Sequence, residues 1–328
     1  MKKRQFLQAV VASGSVAFVS ARLLKSKQTT VPEQLLPASE PQTPILALEL
    51  GPESSAIEQL LSEENDLKPG FKHSERTLDA AVLDEMEDAQ VDSYLSKIRN
   101  FDADYANDIY LSESNRQLLA PTLARLERVQ NYVGHGNYNL LGFDEMLFFA
   151  RNYEAIGAFE SAELNFLEEI FFADANNYGF FGEKVTQGLT NRFSSEAVEK
   201  ISGSGHYLLK GESLNHYKQI HQDVGERLLL TSGVRNIVKQ MHLFLAKAQQ
   251  SQFNLSKASR SLAPPGHSFH GIGDFDVGKI GLGELNFTVD FSNTEEFRRM
   301  ISLGYIDIRY TDSNRFGVRY EPWHIKIA

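Results

Sequence analysis

At 328 residues, with 42% hydrophobic and 11% aromatic content, the chain can bury a substantial core in one large or two small domains. A formal charge of −10 argues against nonspecific nucleic-acid binding. Cysteine is absent, which excludes disulfides and thiolate zinc fingers and leaves histidines and carboxylates as the residues for any metal site.

The chain opens with Met1-Lys2-Lys3-Arg4-Gln5-Phe6-Leu7, followed by a modestly apolar run to Val19 and the small pair Ser20-Ala21. A basic start, a short apolar centre and small residues at its end predict an export signal over 1–25. Lys3-Arg4-x-Phe6-Leu7 resembles a twin-arginine signal with one Arg replaced by Lys. The alternative is an uncleaved N-terminal membrane anchor, with Arg22 to Lys27 as its basic flank. Residues 26–45 are rich in Ser, Gln, Thr, Glu and Pro and read as a linker. This linker passes into an acidic region to residue 111, with helix-like patches at Leu78–Leu83 and Tyr94–Ile98. The expectation over 26–111 is a linker and an acidic, partly disordered region.

From Arg116 the pattern turns helical. Leu118, Leu119, Leu123, Leu126, Val129 and Tyr132 recur at helical spacing. A second helix is expected from Phe143, with Asp144 near its cap. A third is expected from Ser161, burying Leu164, Leu167 and Phe171. Asp174–Gly179 has a calcium-loop flavour but lacks the terminal bidentate Glu, and reads as a solvated turn. The aromatic run from Phe171 to Phe181 reads as core packing. The expectation is a helical region over 112–204.

Gly203–Gly211 reads as a glycine-bearing connection, and Ser213 as the cap of a helix to Asp223. Arg227–Ser232 predicts a buried strand ending at Gly233, followed by a helix from Asn236 to Gln249. Asp274–Val277 reads as a strand. Ser292–Glu296 carries a capping-box pattern that opens a helix to Leu303, stopped at Gly304. Tyr305–Tyr310, Val318–Tyr320 and Ile325–Ile327 alternate as strands. The fold expected is α+β: a helical N-terminal region, then a small, mainly antiparallel sheet with flanking helices carrying a zinc cleft.

Two short stretches hold the residues for chemistry. Pro265–Asp276 contributes His270, Asp274 and Asp276, and Glu321-Pro322-Trp323-His324 contributes Glu321 and His324. This is enough for a zinc site with three protein ligands, an open position for water, and a carboxylate to take the water's proton. Gly271 and Gly273 allow the backbone to double back between His270 and the aspartates. Asp274 and Asp276 are two apart on a strand and share a face, where a cation relieves their repulsion. Glu321 and His324, three apart, face opposite ways on a regular strand, so a kink at Pro322 is needed for them to converge. Trp323, the only Trp, is placed to floor the pocket. The competing readings are an exposed acidic turn with a surface histidine, and a C-terminal strand with a buried Trp.

The order Ser-x-His-x-x-Gly, a strand Asp, then Glu-x-x-His resembles the D-alanyl-D-alanine carboxypeptidases of the VanY type. These belong to the zinc metallopeptidase group shared with lysostaphin and hedgehog folds. Thr231-Ser232-Gly233-Val234-Arg235 with Gln240 is similar to the family's Ser-Gly-Tyr-Arg motif and its following Gln. Ala263-Pro264-Pro265-Gly266 is similar to its approach to the zinc motif. The resemblance covers roughly 205–328, the expected zinc peptidase domain. It implies His270, Asp276 and His324 as zinc ligands and Glu321 as catalytic base. It implies Arg235 as the residue that steadies substrate and developing oxyanion, with Ser268 and Gln240 supporting substrate or motif geometry. The family places its ligand Asp seven residues after the His, where this chain has Val277. Asp276 is six after, and Asp274 is the alternative ligand. Val234 stands where the family commonly has Tyr.

The function this implies is an exported zinc carboxypeptidase, in the periplasm or cell envelope, that hydrolyses the terminal D-alanine of peptidoglycan stem peptides at a D,D- or L,D-bond. The alternatives are a cross-bridge endopeptidase and a non-catalytic peptidoglycan-binding protein on the same fold. A binding module has no need of Glu321. His135, His206, His216, His221 and His242 lie outside these motifs and read as packed or surface residues. His267, beside the metal motif, is a candidate for the pocket wall.

Overall fold

The computed structural model describes residues 88–191 and 193–327. The expected export segment, and residues 26–87 of the expected linker, lie outside the described residues. No described helix is long and apolar enough to cross a membrane.

The first described element is α1, Asp88–Arg99. Its Tyr94 and Ile98 are buried, and the Tyr94 hydroxyl donates to the Asn314 carbonyl (2.9 Å) while accepting from Gly317 N (2.6 Å). Helix α2, Glu113–Val133, begins where the Ser112 hydroxyl accepts from Asn115 N, satisfying one of the free N–H groups of its first turn. Leu119, Leu123, Leu126 and Val129 form its buried stripe. Tyr132, expected in that stripe, is 45% exposed and packs against Tyr153 with ring centroids 4.3 Å apart.

Helix α3, Phe143–Asn152, is capped by the Glu145 carboxylate accepting from Gly142 N at 2.8 Å, so Glu145 does the work expected of Asp144. Helix α4, Ser161–Phe172, buries Phe166, Leu167, Ile170 and Phe171, while Leu164 is only partly buried. Its Glu163 carboxylate is buried but not orphaned: it accepts from Glu160 N (2.7 Å) and Arg125 Nε (3.0 Å). Asp174–Gly179 is a turn in which the Asp174 side chain accepts from Asn176 N.

A hairpin follows, pairing β1, Val198–Lys200, antiparallel with β2, Tyr207–Leu209. Strand β2 lies inside the expected glycine connection, and its three residues are too few to carry a period. Helix α5, Glu212–Val224, starts from Gly211 at φ 98°, a left-handed conformation suited to glycine. Ser213, expected as the cap, therefore sits within the first turn and is buried.

The second sheet has the order β3–β4–β5, all antiparallel. Strand β3 is Leu228–Ser232, β4 is Phe275–Lys279 and β5 is His324–Ile325. Between β3 and β4 lies α6, Ile237–Gln250, with the Asn236 side chain at its N-cap, and the short α7, Leu255–Ser259. Helix α8, Glu295–Ser302, is capped by the Thr294 hydroxyl accepting from Phe297 N.

The strands expected at Tyr305–Tyr310 and Val318–Tyr320 do not form, and β5 is shorter than the alternation at the C-terminus predicts. Only the bridge Ile308↔Ile325 survives from the first. Arg309 turns inward to pair with Asp274, and Tyr310 packs edge-on against the His324 ring (4.9 Å). The backbone of the second bonds elsewhere: Arg319 N donates to the Arg260 carbonyl (2.9 Å), and the Val318 carbonyl accepts from the Asn314 amide (2.6 Å).

One apolar cluster joins α2, α3 and α4 to α6 and α7, with Leu119, Phe166 and Phe244 fully or almost fully buried. A second is built from α5, β3, β4 and α8, closed by Trp323 and Ile325. Burial of each such side chain is worth about 1.5–3 kcal/mol. Helix α6 contributes to the first cluster through Val238, Met241 and Phe244, and its other side faces the cleft described next.

Candidate metal centre

Strand register does what the sequence alone cannot. Asp276 on β4 stands directly opposite His324 on β5, so two of the candidate ligands are cross-strand neighbours. His270 comes from the single turn Phe269–Gly271 that precedes β4. Its ring is aimed by the Gly233 carbonyl just beyond β3, which accepts from Nδ1 at 2.8 Å. That bond leaves Nε2 with its lone pair directed inward.

His324 is fixed in the opposite sense. Its Nε2 donates to Asp274 Oδ2 at 2.9 Å, leaving Nδ1 to face Asp276. Asp274 in turn is paired with Arg309, and accepts from Ile327 N at 2.8 Å. The guanidinium of Arg309 lies 3.6 Å above the Phe269 ring. Asp274 is thus engaged from behind by His324 Nε2, Arg309 and the C-terminal backbone. It orients His324, and among the described residues the group able to hold a metal ion is His270, Asp276 and His324, whose ligand atoms all lie within 4.8 Å of one another.

The atoms at this point suit a cation. Asp276 Oδ1 is buried with no hydrogen-bond partner, and lies 3.3 Å from His270 Nε2 and 3.1 Å from His324 Nδ1. A buried carboxylate oxygen left in this way is costly unless a positive charge meets it. Two imidazole nitrogens and one carboxylate oxygen form a donor set suited to zinc.

Arg235, in the turn between β3 and α6, reaches the same point. Its Nη2 donates to Asp276 Oδ2 (2.8 Å) and to His270 Nε2 (2.6 Å). Ser232 Oγ accepts from its Nε at 3.0 Å, and Gln240 Oε1 from its Nη1 at 3.3 Å. Gln240 is held by donating to the Ala263 carbonyl. Ser232 was not singled out in the sequence, although it belongs to the Thr231–Arg235 motif.

Glu321 Oε2 is 3.8 Å from His324 Nδ1, and Oε1 is 3.8 Å from Arg319 Nε. The residue is 8% exposed. Burial pushes its carboxyl up to about 7, with Asp276 adding to the rise and Arg319, His324 and Arg235 opposing it. Burial also pulls His270 down to about 4, helped by Arg235. For His324 burial acts downward, but the hydrogen bond and charge of Asp274 and the neighbouring Asp276 outweigh it and raise the ring to about 9. Asp276 is held well below the carboxylate range by His270, His324 and Arg235, against its burial.

His270, Asp276, His324, Glu321, Arg235 and Arg319 line a cleft of about 460 Å³, with Ser268, Tyr310 and Trp323. His206 lines it too, contrary to its reading as a packed or surface residue. His267 does not: its Nδ1 donates to the Gly182 (3.0 Å) and Glu183 (3.1 Å) carbonyls, and its ring packs edge-on against Phe180. His135, His216, His221 and His242 are not among the lining residues.

A small antiparallel sheet that presents two histidines, an aspartate and a buried glutamate to one cleft defines a metal-binding α+β domain. Residues 210–327 match the family model of VanY, D-alanyl-D-alanine carboxypeptidase. Among solved structures, the chain is similar to a vancomycin-resistance D,D-pentapeptidase VanY from a VanB-type resistance cassette, in complex with Zn(II). That match has 22% identity over 39% of this chain and 76% of the other, with a TM-score of 0.33. It is similar to the LdcB LD-carboxypeptidase at 26% identity, over 39% of this chain and 61% of that one, again with a TM-score of 0.33. A third likeness, to VanYB in complex with D-alanine-D-alanine, has 23% identity over 39% and 75%, with a TM-score of 0.33. No curated protein matches the chain.

Proposed function

We propose that this chain is an exported zinc carboxypeptidase that removes the terminal D-alanine from peptidoglycan stem peptides, at a D,D- or L,D-bond. The observation that carries the reading is the convergence of three metal-donor atoms within 4.8 Å, with the buried Glu321 carboxylate 3.8 Å from one of them. The family match over 210–327 supplies the reaction class. The export part rests on the N-terminal pattern of basic, apolar and small residues. The proposed organisation is an export signal over 1–25, a linker and acidic region over 26–111, a helical region over 112–204 and the peptidase domain over 205–328.

His270 Nε2, Asp276 Oδ1 and His324 Nδ1 are the proposed zinc ligands. Zinc held there supplies a positive charge that polarises a water and the scissile carbonyl. Glu321 takes the proton that water loses as its oxygen bonds to the acyl carbon, and delivers it to the amine of the departing D-alanine. Burial raises the Glu321 carboxyl and makes it a stronger proton acceptor than an exposed one. Arg235, whose hydrogen bond to His270 Nε2 gives way once that nitrogen holds the metal, donates to the carbonyl oxygen as that oxygen gains charge. Gln240 and Ser232 keep its guanidinium in plane for this, with Ser268 on the cleft wall to meet the substrate.

The test is metal content together with D-alanine release from a synthetic pentapeptide, run beside the tetrapeptide. Zinc at one equivalent with release from either peptide is expected, and which of the two is cut assigns the bond. A zinc-loaded protein that releases nothing from both sinks the hydrolase reading.

A further inference from the structure

The cleft extends well beyond the metal ligands. Helix α6 presents Lys239, Leu243, Lys247 and Gln250 to it, a stripe at helical spacing that runs away from Arg235. Gln240, which braces Arg235, and Lys247 are seven residues apart, or ~10 Å along the helix axis. A single departing residue spans only ~3.5 Å. Whatever meets Lys247 therefore belongs to the part of the peptide that is retained.

The charge on this wall runs against that of the chain. The sequence carries a net −10, yet the cleft away from the ligand cluster is lined by Lys239, Lys247 and Arg319, with Glu284 and the base Glu321 as its acids. Lys247 is half-buried, and its ammonium makes no ion pair or hydrogen bond among the described residues. Burial holds its ammonium below the usual lysine range; Asp102 opposes this, while Arg319 and Lys257 add to it. Two crowded cations in a partly desolvated wall form a place where an anion gains from both.

Arg319 is built in rather than loose. Its guanidinium lies between the rings of Phe101 (4.7 Å) and Trp323 (5.1 Å), and Nη2 donates to the Phe287 carbonyl at 3.0 Å. Its Nε is buried and has no hydrogen-bond partner among the described residues. The nearest carboxylate oxygen, on Glu321, is 3.8 Å away and is needed for proton transfer. A fixed guanidinium with an unused buried N–H is a preorganised donor site for a carboxylate.

We propose that Lys247 and Arg319 form an anion subsite that binds a carboxylate on the retained part of an acidic peptide substrate. This deepens the carboxypeptidase reading and rests on it for the position of the cut bond. The subsite makes the enzyme select peptides by charge two or three residues before that bond, a distance set by the ~10 Å offset and ~3.5 Å per residue.

The test compares two synthetic peptides ending in D-Ala-D-Ala. One has free carboxylates on the second and third residues before the cleaved bond, and the other has carboxamides there. Each is titrated against the zinc-loaded full chain, reading both KM and the fluorescence of Trp323, the only Trp, which lies against Arg319. The acidic peptide is expected to bind about tenfold more tightly than its amide. In Lys247→Gln that preference falls to near one, and Lys247→Arg restores it. A preference unchanged in Lys247→Gln, or absent from the wild type, overturns the subsite. Peptide cleavage without any preference removes the subsite and leaves the carboxypeptidase standing. A Lys247-dependent preference in fluorescence with no cleavage keeps the subsite and removes the carboxypeptidase.

Discussion

Glu321 shows what burial does to a single carboxyl. Buried among Arg319, His324 and Asp276, it is raised above the ordinary carboxylate range, with burial the largest cause, which favours its taking a proton. Glu321→Gln keeps the size and the packing but removes the basic oxygen. The expected outcome is full zinc content with D-alanine release reduced by ~10²–10⁴. Near-wild-type release with zinc retained would exclude the proton-transfer role. Arg235 acts on the opposite charge. Arg235→Ala should lower kcat by ~10²–10³ with a smaller change in KM, as loss of an oxyanion donor does. An unchanged kcat places the guanidinium outside the reaction.

Among the elements, the junction of β2 with β3 positions the centre. The Gly233 carbonyl holds His270 Nδ1, and Val234 N donates to the Tyr207 carbonyl at 2.8 Å. A Cβ on Gly233 would run into that Tyr207 carbonyl, a backbone atom that cannot swing aside. Gly233→Ala should therefore cost about 1–3 kcal/mol of stability and weaken zinc binding, read as a lower thermal midpoint and faster loss of metal to a chelator. A variant with wild-type midpoint and metal retention would show that the hairpin does not set the histidine.

The same elements show where reading the sequence reached its limit. His270, Asp276, Glu321 and His324 could be named as candidates because they fall in two short stretches whose order resembles a zinc-peptidase motif. Their convergence could not be read, since it depends on the register that sets Asp276 against His324. Long periodic helices such as α2 and α6 were legible because many turns repeat one signal. The alternation at Tyr305–Tyr310 misled because Arg309 and Tyr310 face the site: pairing with Asp274 and packing on His324 override the strand pattern. Asp274 had a visible signal, two aspartates sharing a face, but nothing in the sequence shows that Arg309 meets it.

For the whole molecule, a buried ion pair links the segment after α1 to the core. Arg260 donates to Asp108 Oδ1 at 2.9 Å, with side chains 4% and 1% exposed, and reaches the Phe101 (3.0 Å) and Ala103 (2.8 Å) carbonyls. Burial alone raises the Asp108 carboxyl, but hydrogen bonds from Arg260 and Asn254 hold it below the ordinary value. The unfolded chain thus binds the proton more readily than the folded one. The stabilisation is present above the unfolded pKa of ~3.9 and is lost as pH falls through the folded value. Denaturant titrations should show the wild type losing this increment between about pH 5 and the folded value. Asp108→Ala should be weaker by about 3–5 kcal/mol at pH 7, with a flatter acid limb. An identical acid limb in both would remove Asp108 from the account.

The stacking of Arg319 between Phe101 and Trp323 carries a consequence for how the chain can be cut down. Phe101 lies more than a hundred positions before the segment that matches the peptidase family, yet its ring braces a cation beside Glu321, the proposed base. A truncated form starting near residue 205 would retain every proposed metal ligand while losing that brace and the helices that seal α6. Such a fragment would be a poor surrogate for the enzyme, and a weak result obtained with it would reflect the missing buttress rather than the chemistry of the cluster.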